Sequence, residues 1–176
     1  CALPILTVER DLEKQIRHSS NTDFLTGLYN RRCFYQYIHN NRGGRTVSLM
    51  YIDLDRFKEV NDTYGHKVGD AVLVHTADVL RRLFRDDFVA RLGGDEFLVV
   101  RLGKCSMDQM EQEAEAFLKE MRTAFLAAEQ TVSLSASVGI AQSSDSMVDI
   151  DALLQRSDQA LYQAKKAGRS RYCVYR

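Results

Sequence analysis

At 176 residues, with a hydrophobic fraction of 45% and a charged fraction of 27%, the chain has the size and balance of one soluble domain with a proper core. Lysine plus arginine and aspartate plus glutamate each number 24, so the formal net charge is zero. No global field then attracts nucleic acid or an anionic membrane, and an anionic ligand must be bound by local chemistry. Cys1, Cys33, Cys105 and Cys173 are widely spaced and form no CxxC pair. Neither a zinc site nor a disulfide framework is indicated, which suits a reducing compartment.

The first residue is Cys1 rather than methionine, so the chain is expected to be a fragment of something longer. The apolar opening from Cys1 to Leu6 is far too short to span a bilayer and reads as the tail of an upstream segment. Ile5, Val8, Leu12 and Ile16 then recur at helical spacing among charged residues. This narrow stripe predicts a linker helix over residues 1–20 that packs on its own domain or pairs with a copy of itself. The composition boundary between Ser19 and Asp23 predicts one domain over residues 21–176.

Val47 to Ile52 is apolar on both parities, as a central strand is, and runs into Asp53-Leu54-Asp55. A helix is predicted from about His66 to Arg85, with Leu73, Ala77, Leu80 and Phe84 along one side. Phe88 to Leu92 and Phe97 to Val100 read as strands about a Gly93-Gly94 turn, because glycine accepts positive φ without steric cost. Met107, Met110, Ala114, Phe117, Leu118 and Met121 mark an amphipathic helix whose stripe belongs to the core. Val132 to Ile140 alternates as a strand; Ile150, Leu153, Leu154, Leu161 and Ala164 mark a last helix, and a short strand surrounds Tyr172 to Tyr175. Helices interrupt a sheet that contains a tight hairpin. The fold class is therefore α+β, a sheet with helices packed on it rather than a doubly wound fold.

Asp53 and Asp55 finish a buried strand two residues apart and so share a face. A carboxylate there is costly to bury unless it is paired or bound to metal. Asp55 reads as the N-cap of a helix starting at Arg56, which leaves Asp53 as the better ligand. Across the hairpin, Asp95 and Glu96 point to opposite faces if the strand is regular, so one of them shares a metal shell with Asp53. Such an incomplete oxygen cage is what magnesium prefers, with water and substrate phosphates filling it. Asn61 and Asp70 either read a guanine edge or are a turn former and a solvated helix residue. His66 is similarly ambiguous. Lys165, Lys166, Arg169 and Arg171 are either helix-ending chemistry or a clamp for a terminal phosphate.

Five blocks in one order resemble the GGDEF domain family, the bacterial diguanylate cyclases: Asp23 to Arg32, Asp53 to Asp70, Arg91 to Phe97, Ser137 to Ala141 and Ala160 to Arg171. The resemblance implies a palm-like fold similar to class III nucleotide cyclases, with a mainly antiparallel central sheet and an N-terminal signalling helix. It implies condensation of two GTP into cyclic di-GMP and two pyrophosphates across a homodimer, under an upstream sensory domain and with no nucleic-acid partner. Asp53, the Leu54 carbonyl and Asp95 are the implied magnesium ligands, with manganese as an alternative. Asp95 is also the implied acceptor of the attacking hydroxyl's proton, Glu96 a supporting residue and Lys58 a phosphate stabiliser. Asn61, His66 and Asp70 are implied contacts to the guanine and substrate, Gly93 and Gly94 lie against the phosphates, and Lys165 and Arg169 hold the terminal phosphate. The domain is expected in the cytoplasm, with membrane attachment of a longer protein left open.

The chain departs from the pattern at an Arg-x-x-Asp inhibitory site that binds product in many members. Asp87 matches the aspartate, six residues before Gly93, but Phe84 stands at the arginine position. Arg85 lies about 100° further around the predicted helix. Weak or absent product inhibition is expected. Ser170, where Asn is common, is a milder departure without a clear cost. The alternatives are a catalytically silent domain that binds GTP or cyclic di-GMP and regulates a partner, and a nucleic-acid polymerase palm. The short neutral chain disfavours the last.

Overall fold

The computed structural model describes residues 21–143 and 149–176; the linker helix read over residues 1–20 lies outside them. The elements in chain order are β1 (Tyr29–Asn30), α1 (Arg31–Asn41), β2 (Val47–Leu54), α2 (Phe57–Tyr64), α3 (His66–Leu83), β3 (Phe88–Gly93) and β4 (Glu96–Leu102). They continue with α4 (Met107–Met121), β5 (Phe125–Ala127), β6 (Gln130–Val132), β7 (Ala136–Gln142), α5 (Ile150–Lys166) and β8 (Tyr172–Val174). Six strands form one sheet in the order β1-β3-β4-β2-β7-β8. β2 lies antiparallel between β4 and β7, while the edge pairs β1–β3 and β7–β8 are parallel. The expected α+β fold with a mainly antiparallel sheet is the one found.

β2 is buried on both parities because helices cover both faces of the sheet. On one face, Val72, Ala77 and Leu80 of α3 and Met110, Phe117 and Leu118 of α4 pack on Ile52, Phe97 and Val138. On the other, Phe34 and Ile38 of α1 and Leu153 and Leu161 of α5 pack on Leu49, Tyr51 and Leu98. The methionine and phenylalanine stripe of α4 is core, as expected. Gly139 on β7 sets how closely α5 approaches: a Cβ there would lie 2.0 Å from the Ser157 carbonyl oxygen and 2.3 Å from the Leu161 nitrogen. Any side chain would push the helix off the sheet.

Two local expectations are corrected, and one helix has no counterpart in the sequence reading. The single strand read from Val132 to Ile140 is broken, because β6 turns back on β5 in a separate two-stranded sheet and β7 begins only at Ala136. Ala128 and Glu129 make that turn at φ 46° and 71°, without the glycine or asparagine that signals a hairpin. The predicted α3 ends at Leu83, so Phe84 is its C-cap and the helical-wheel placement of Arg85 does not apply. Helix α1 was not read at all; its N-cap is clear, since Asn30 Oδ1 accepts from Cys33 N at 2.9 Å, but only Phe34 and Ile38 are buried and the periodic signal is weak.

Candidate active site at the glycine hairpin

The end of β2 places Asp53 directly opposite Glu96 of β4 and Ser137 of β7. Directly paired residues of antiparallel strands project from the same face, so Glu96 lies on the Asp53 side of the sheet. The β3–β4 hairpin shifts register between Arg91 and Gly93, and Gly93 and Gly94 take φ of 144° and 52°. This bulged turn holds Asp95 outside the strand, so alternation does not set its direction. Strand alternation therefore gives no ground for separating Asp95 from Glu96, and both charges act on Asp53. Burial holds the Asp53 carboxyl above its ordinary value, and the charges of Asp95 and Glu96 add to that. Lys165 opposes the rise, its Nζ 2.9 Å from Asp53 Oδ1. Burial, with Glu96 next in importance, likewise pushes Tyr51 on the same face up to about 12.

The hairpin is braced from outside by Arg91, whose Nε and Nη2 donate to the Gly94 carbonyl at 3.0 and 2.7 Å. Its Nη1 donates to Asp23 Oδ1 and Oδ2 at 3.0 and 3.1 Å. Asp23 also accepts from the Thr26 amide and hydroxyl at 2.8 and 2.7 Å. Burial alone would raise the Asp23 carboxyl, but the Thr26 and Arg91 hydrogen bonds hold it below its ordinary value. The backbone joins in, with Leu54 N donating to the Asp95 carbonyl at 3.3 Å. Both segments belong to motifs legible in the sequence; their mutual contact is not legible there, because it joins residues 68 apart.

Asp55 does not cap α2. The N-cap is Arg56, left-handed at φ 58°, and no side chain caps the helix. Asp55 is instead buried against two serines and the backbone of Ser170. Arg169 and Ser170 follow α5 at φ 63° and 51°. Ser170 is thus not a departure without cost, since asparagine tolerates the left-handed region better than serine. Two clefts border these residues, one lined by Asp55 and the other by Lys165. One, of about 460 Å³, is lined by residues including Asp55, Arg56, Ser135 and Arg169. The other, of about 340 Å³, includes Glu96, Tyr162 and Lys165 in its lining.

Lys58 is exposed on the first turn of α2, and exposed His66 opens α3 after Gly65 at φ 85°. Asn61 and Asp62 are helical rather than turn residues. Half-buried Asn61 packs against Gly69 of α3, where a Cβ would stand 1.9 Å from Asn61 Oδ1. The corner between α2 and α3 therefore presents an amide beside exposed Asp70, an acceptor–donor set able to pair with a base edge. Sequence reasoning missed Gly69; a glycine inside a helical stripe was its signal.

Phe84 is buried in the core. Asp87 accepts from Arg101 Nε at 2.8 Å and Nη2 at 2.5 Å, and its side chain is 6% exposed. Arg101 also pairs with Glu113 at 2.9 Å, and its hydrogen bond to Asp87 is the largest influence raising its pKa. Both carboxylate oxygens of Asp87 are thus occupied inside the domain. Arg85 lines a small cleft beside Tyr29 and Asp87.

Among the described residues no group of three or more His, Cys, Asp or Glu side chains is placed to hold a metal ion. The donors at the hairpin are all hard oxygens, and the positive charge beside them is a lysine ammonium. Such an open set fits a hard divalent cation that keeps water and phosphate ligands.

A family model described as diguanylate cyclase, GGDEF domain, matches residues 20–171. The chain is 38% identical over 179 residues to the cyclic di-GMP phosphodiesterase PdeR of Escherichia coli K12, covering 99% of this chain and 27% of PdeR. It is 37% identical over 176 residues to the diguanylate cyclase DosC of the same organism, covering 95% of this chain and 38% of DosC. The chain thus spans well under half the length of these relatives. The coiled coil and GGDEF domain of DgcB from Caulobacter crescentus, solved with c-di-GMP, superposes at a TM-score of 0.89 and 28% identity, over 97% of this chain and 94% of that one. The diguanylate cyclase SiaD of Pseudomonas aeruginosa, solved with its activator SiaC, gives 0.81 at 32% identity, over 97% of this chain and 68% of that one. No helix among the described residues is long and apolar enough to cross a membrane.

Proposed function

Because the chain belongs to the GGDEF, diguanylate cyclase, family, we propose that it condenses two GTP molecules into cyclic di-GMP and two pyrophosphates. The observation that carries this reading is the convergence of Asp53, Asp95 and Glu96 at an intact Gly93-Gly94 hairpin, with Lys165 as their counter-charge. Asp53, the Leu54 carbonyl and Asp95 would hold magnesium or manganese, which when bound neutralises phosphate charge as it develops. A Cβ at Gly93 or Gly94 would meet nothing within 4 Å, so a phosphate can lie close to the backbone. Lys58, Lys165 and Arg169 bind phosphate oxygens, helped by the uncapped first turn of α2. Asn61 and Asp70 read the guanine edge, and His66 adds a substrate contact.

The 3′-hydroxyl of one GTP attacks the α-phosphorus of the other. A new P–O bond forms as the bond to the bridging oxygen of the β-phosphate breaks, Asp95 takes the hydroxyl proton with Glu96 in support, and pyrophosphate leaves. Each domain holds one GTP, so two copies must face each other, and an upstream sensory region acts on their pairing through the segment from Ile5 to Ile16. With Phe84 in place of arginine and Asp87 engaged by Arg101, the product exerts weak or no inhibition through this site.

Incubation with GTP and magnesium tests this. Cyclic di-GMP should form at a rate that rises more than linearly with protein concentration, and Asp95→Ala should abolish it without lowering the melting temperature. Absence of product at every protein concentration would overturn the reading. The likeness to PdeR, named as a phosphodiesterase, favours a second reading in which the domain binds GTP or cyclic di-GMP without turnover and regulates a partner. Nucleotide binding without product would support it.

A further inference from the structure

We propose that Asp55 is a positioning residue for nucleotide binding: it latches the Arg169–Ser170 loop and so fixes where Arg169 stands relative to the end of β2. The inference rests on the reading of the hairpin as a GTP site with Arg169 as one of its phosphate contacts. Asp55 is a buried carboxylate that accepts three hydrogen bonds, all from neutral donors. Its Oδ1 accepts from Ser137 Oγ at 2.7 Å, and its Oδ2 accepts from Ser135 Oγ at 2.6 Å and Ser170 N at 3.0 Å. Its own amide donates to the Ser135 carbonyl at 2.8 Å. The side chain therefore gathers three chain segments at the end of β2, two residues beyond Asp53.

The loop it grips is one the chain adopts reluctantly. Arg169 and Ser170 are successive non-glycine residues at φ 63° and 51°, a conformation disfavoured for any residue with a Cβ and retained where the surroundings impose it. The constraint comes from two sides. Asp55 takes the Ser170 amide, while Arg122 at the end of α4 donates to Ser170 Oγ at 2.9 Å and to its carbonyl at 2.7 Å. Arg169 N donates back to the Ala164 carbonyl at 3.1 Å, which ties the loop to α5. Asp55, Arg56 and Arg169 line the same cleft. Without the Asp55 contact the loop keeps its links to the helices and, through the Arg171 carbonyl that accepts from Val138 N at 3.0 Å, to β7, but it loses its direct bond to the strand that carries Asp53. The distance between the Arg169 charge and the carboxylate site is then less tightly held.

A double-mutant cycle read by affinity for α,β-methylene-GTP with magnesium tests this. Asp55→Asn should weaken binding about tenfold in the wild-type background and less than twofold when Arg169→Ala is already present. In turnover it should raise KM more than it lowers kcat. Equal losses in both backgrounds, or no loss in either, would overturn the latch while leaving the functional reading intact. If Asp55→Asn does not fold, Arg122→Ala loosens the same loop from the solvent side and must show the same dependence on Arg169. Failure of the wild-type chain to bind the analogue would overturn both proposals.

Discussion

Replacing Asp87 by alanine separates a structural brace from an inhibitory site. The carboxylate makes a two-pronged hydrogen-bonded pair with Arg101 at 2.8 and 2.5 Å and is 6% exposed. Removing one partner of such a buried pair costs about 3–5 kcal/mol when the remaining charge is left alone. Here Arg101 keeps Glu113 at 2.9 Å, itself 27% exposed, so the expected loss is about 2–3 kcal/mol. For a chain of this size that corresponds to a melting temperature lower by roughly 5–10 °C. Thermal unfolding followed by circular dichroism, paired with calorimetric titration of cyclic di-GMP, reads both quantities on one preparation. The brace predicts a large thermal shift and no change in ligand affinity. Tight cyclic di-GMP binding that Asp87→Ala abolishes at an unchanged melting temperature would refute it.

Other perturbations probe the site itself. Gly69→Ala should raise the KM for GTP about tenfold by displacing Asn61, the loss of roughly one good hydrogen bond, while α3 gains up to about 1 kcal/mol of helix propensity. An unchanged KM would remove Asn61 from the guanine site. The raised carboxyl of Asp53 means that the folded domain holds its proton more tightly than the unfolded chain does. Stability should therefore fall as pH rises through the window above the ordinary value of 3.8, and the penalty is fully present at neutral pH. Asp53→Asn should flatten that dependence and raise neutral-pH stability while abolishing turnover; an equal destabilisation at every pH would show that the Lys165 pair outweighs burial. Ser170→Asn should stabilise the domain by about 0.5–1 kcal/mol in urea unfolding, because asparagine tolerates the left-handed backbone. A loss instead would show that the Arg122 bond to the serine hydroxyl dominates.

The residues that the chain's own order makes readable are those whose role rests on local physics. Gly93 and Gly94 announce a turn through their freedom at positive φ, and Asp53 stands out because it ends an apolar strand. The stripes of α3 and α4 follow from 3.6-residue periodicity, and they placed the helices that cover one face of the sheet. Composition alone set the zero net charge and with it the absence of a net field. Where local signals were ambiguous, reading them failed: Asp55 looks like a helix cap, and Asp95 and Glu96 look like alternating strand residues. Serine, arginine and aspartate bond to almost anything polar, so spacing does not reveal their partners. Tertiary structure decided that Asp55 meets Ser170 across 115 residues, that Arg91 anchors the hairpin to Asp23 across 68, and that Asp87 is consumed by Arg101. It also decided that Gly69 and Gly139 matter, because the room a missing Cβ leaves is defined only by what packs against it.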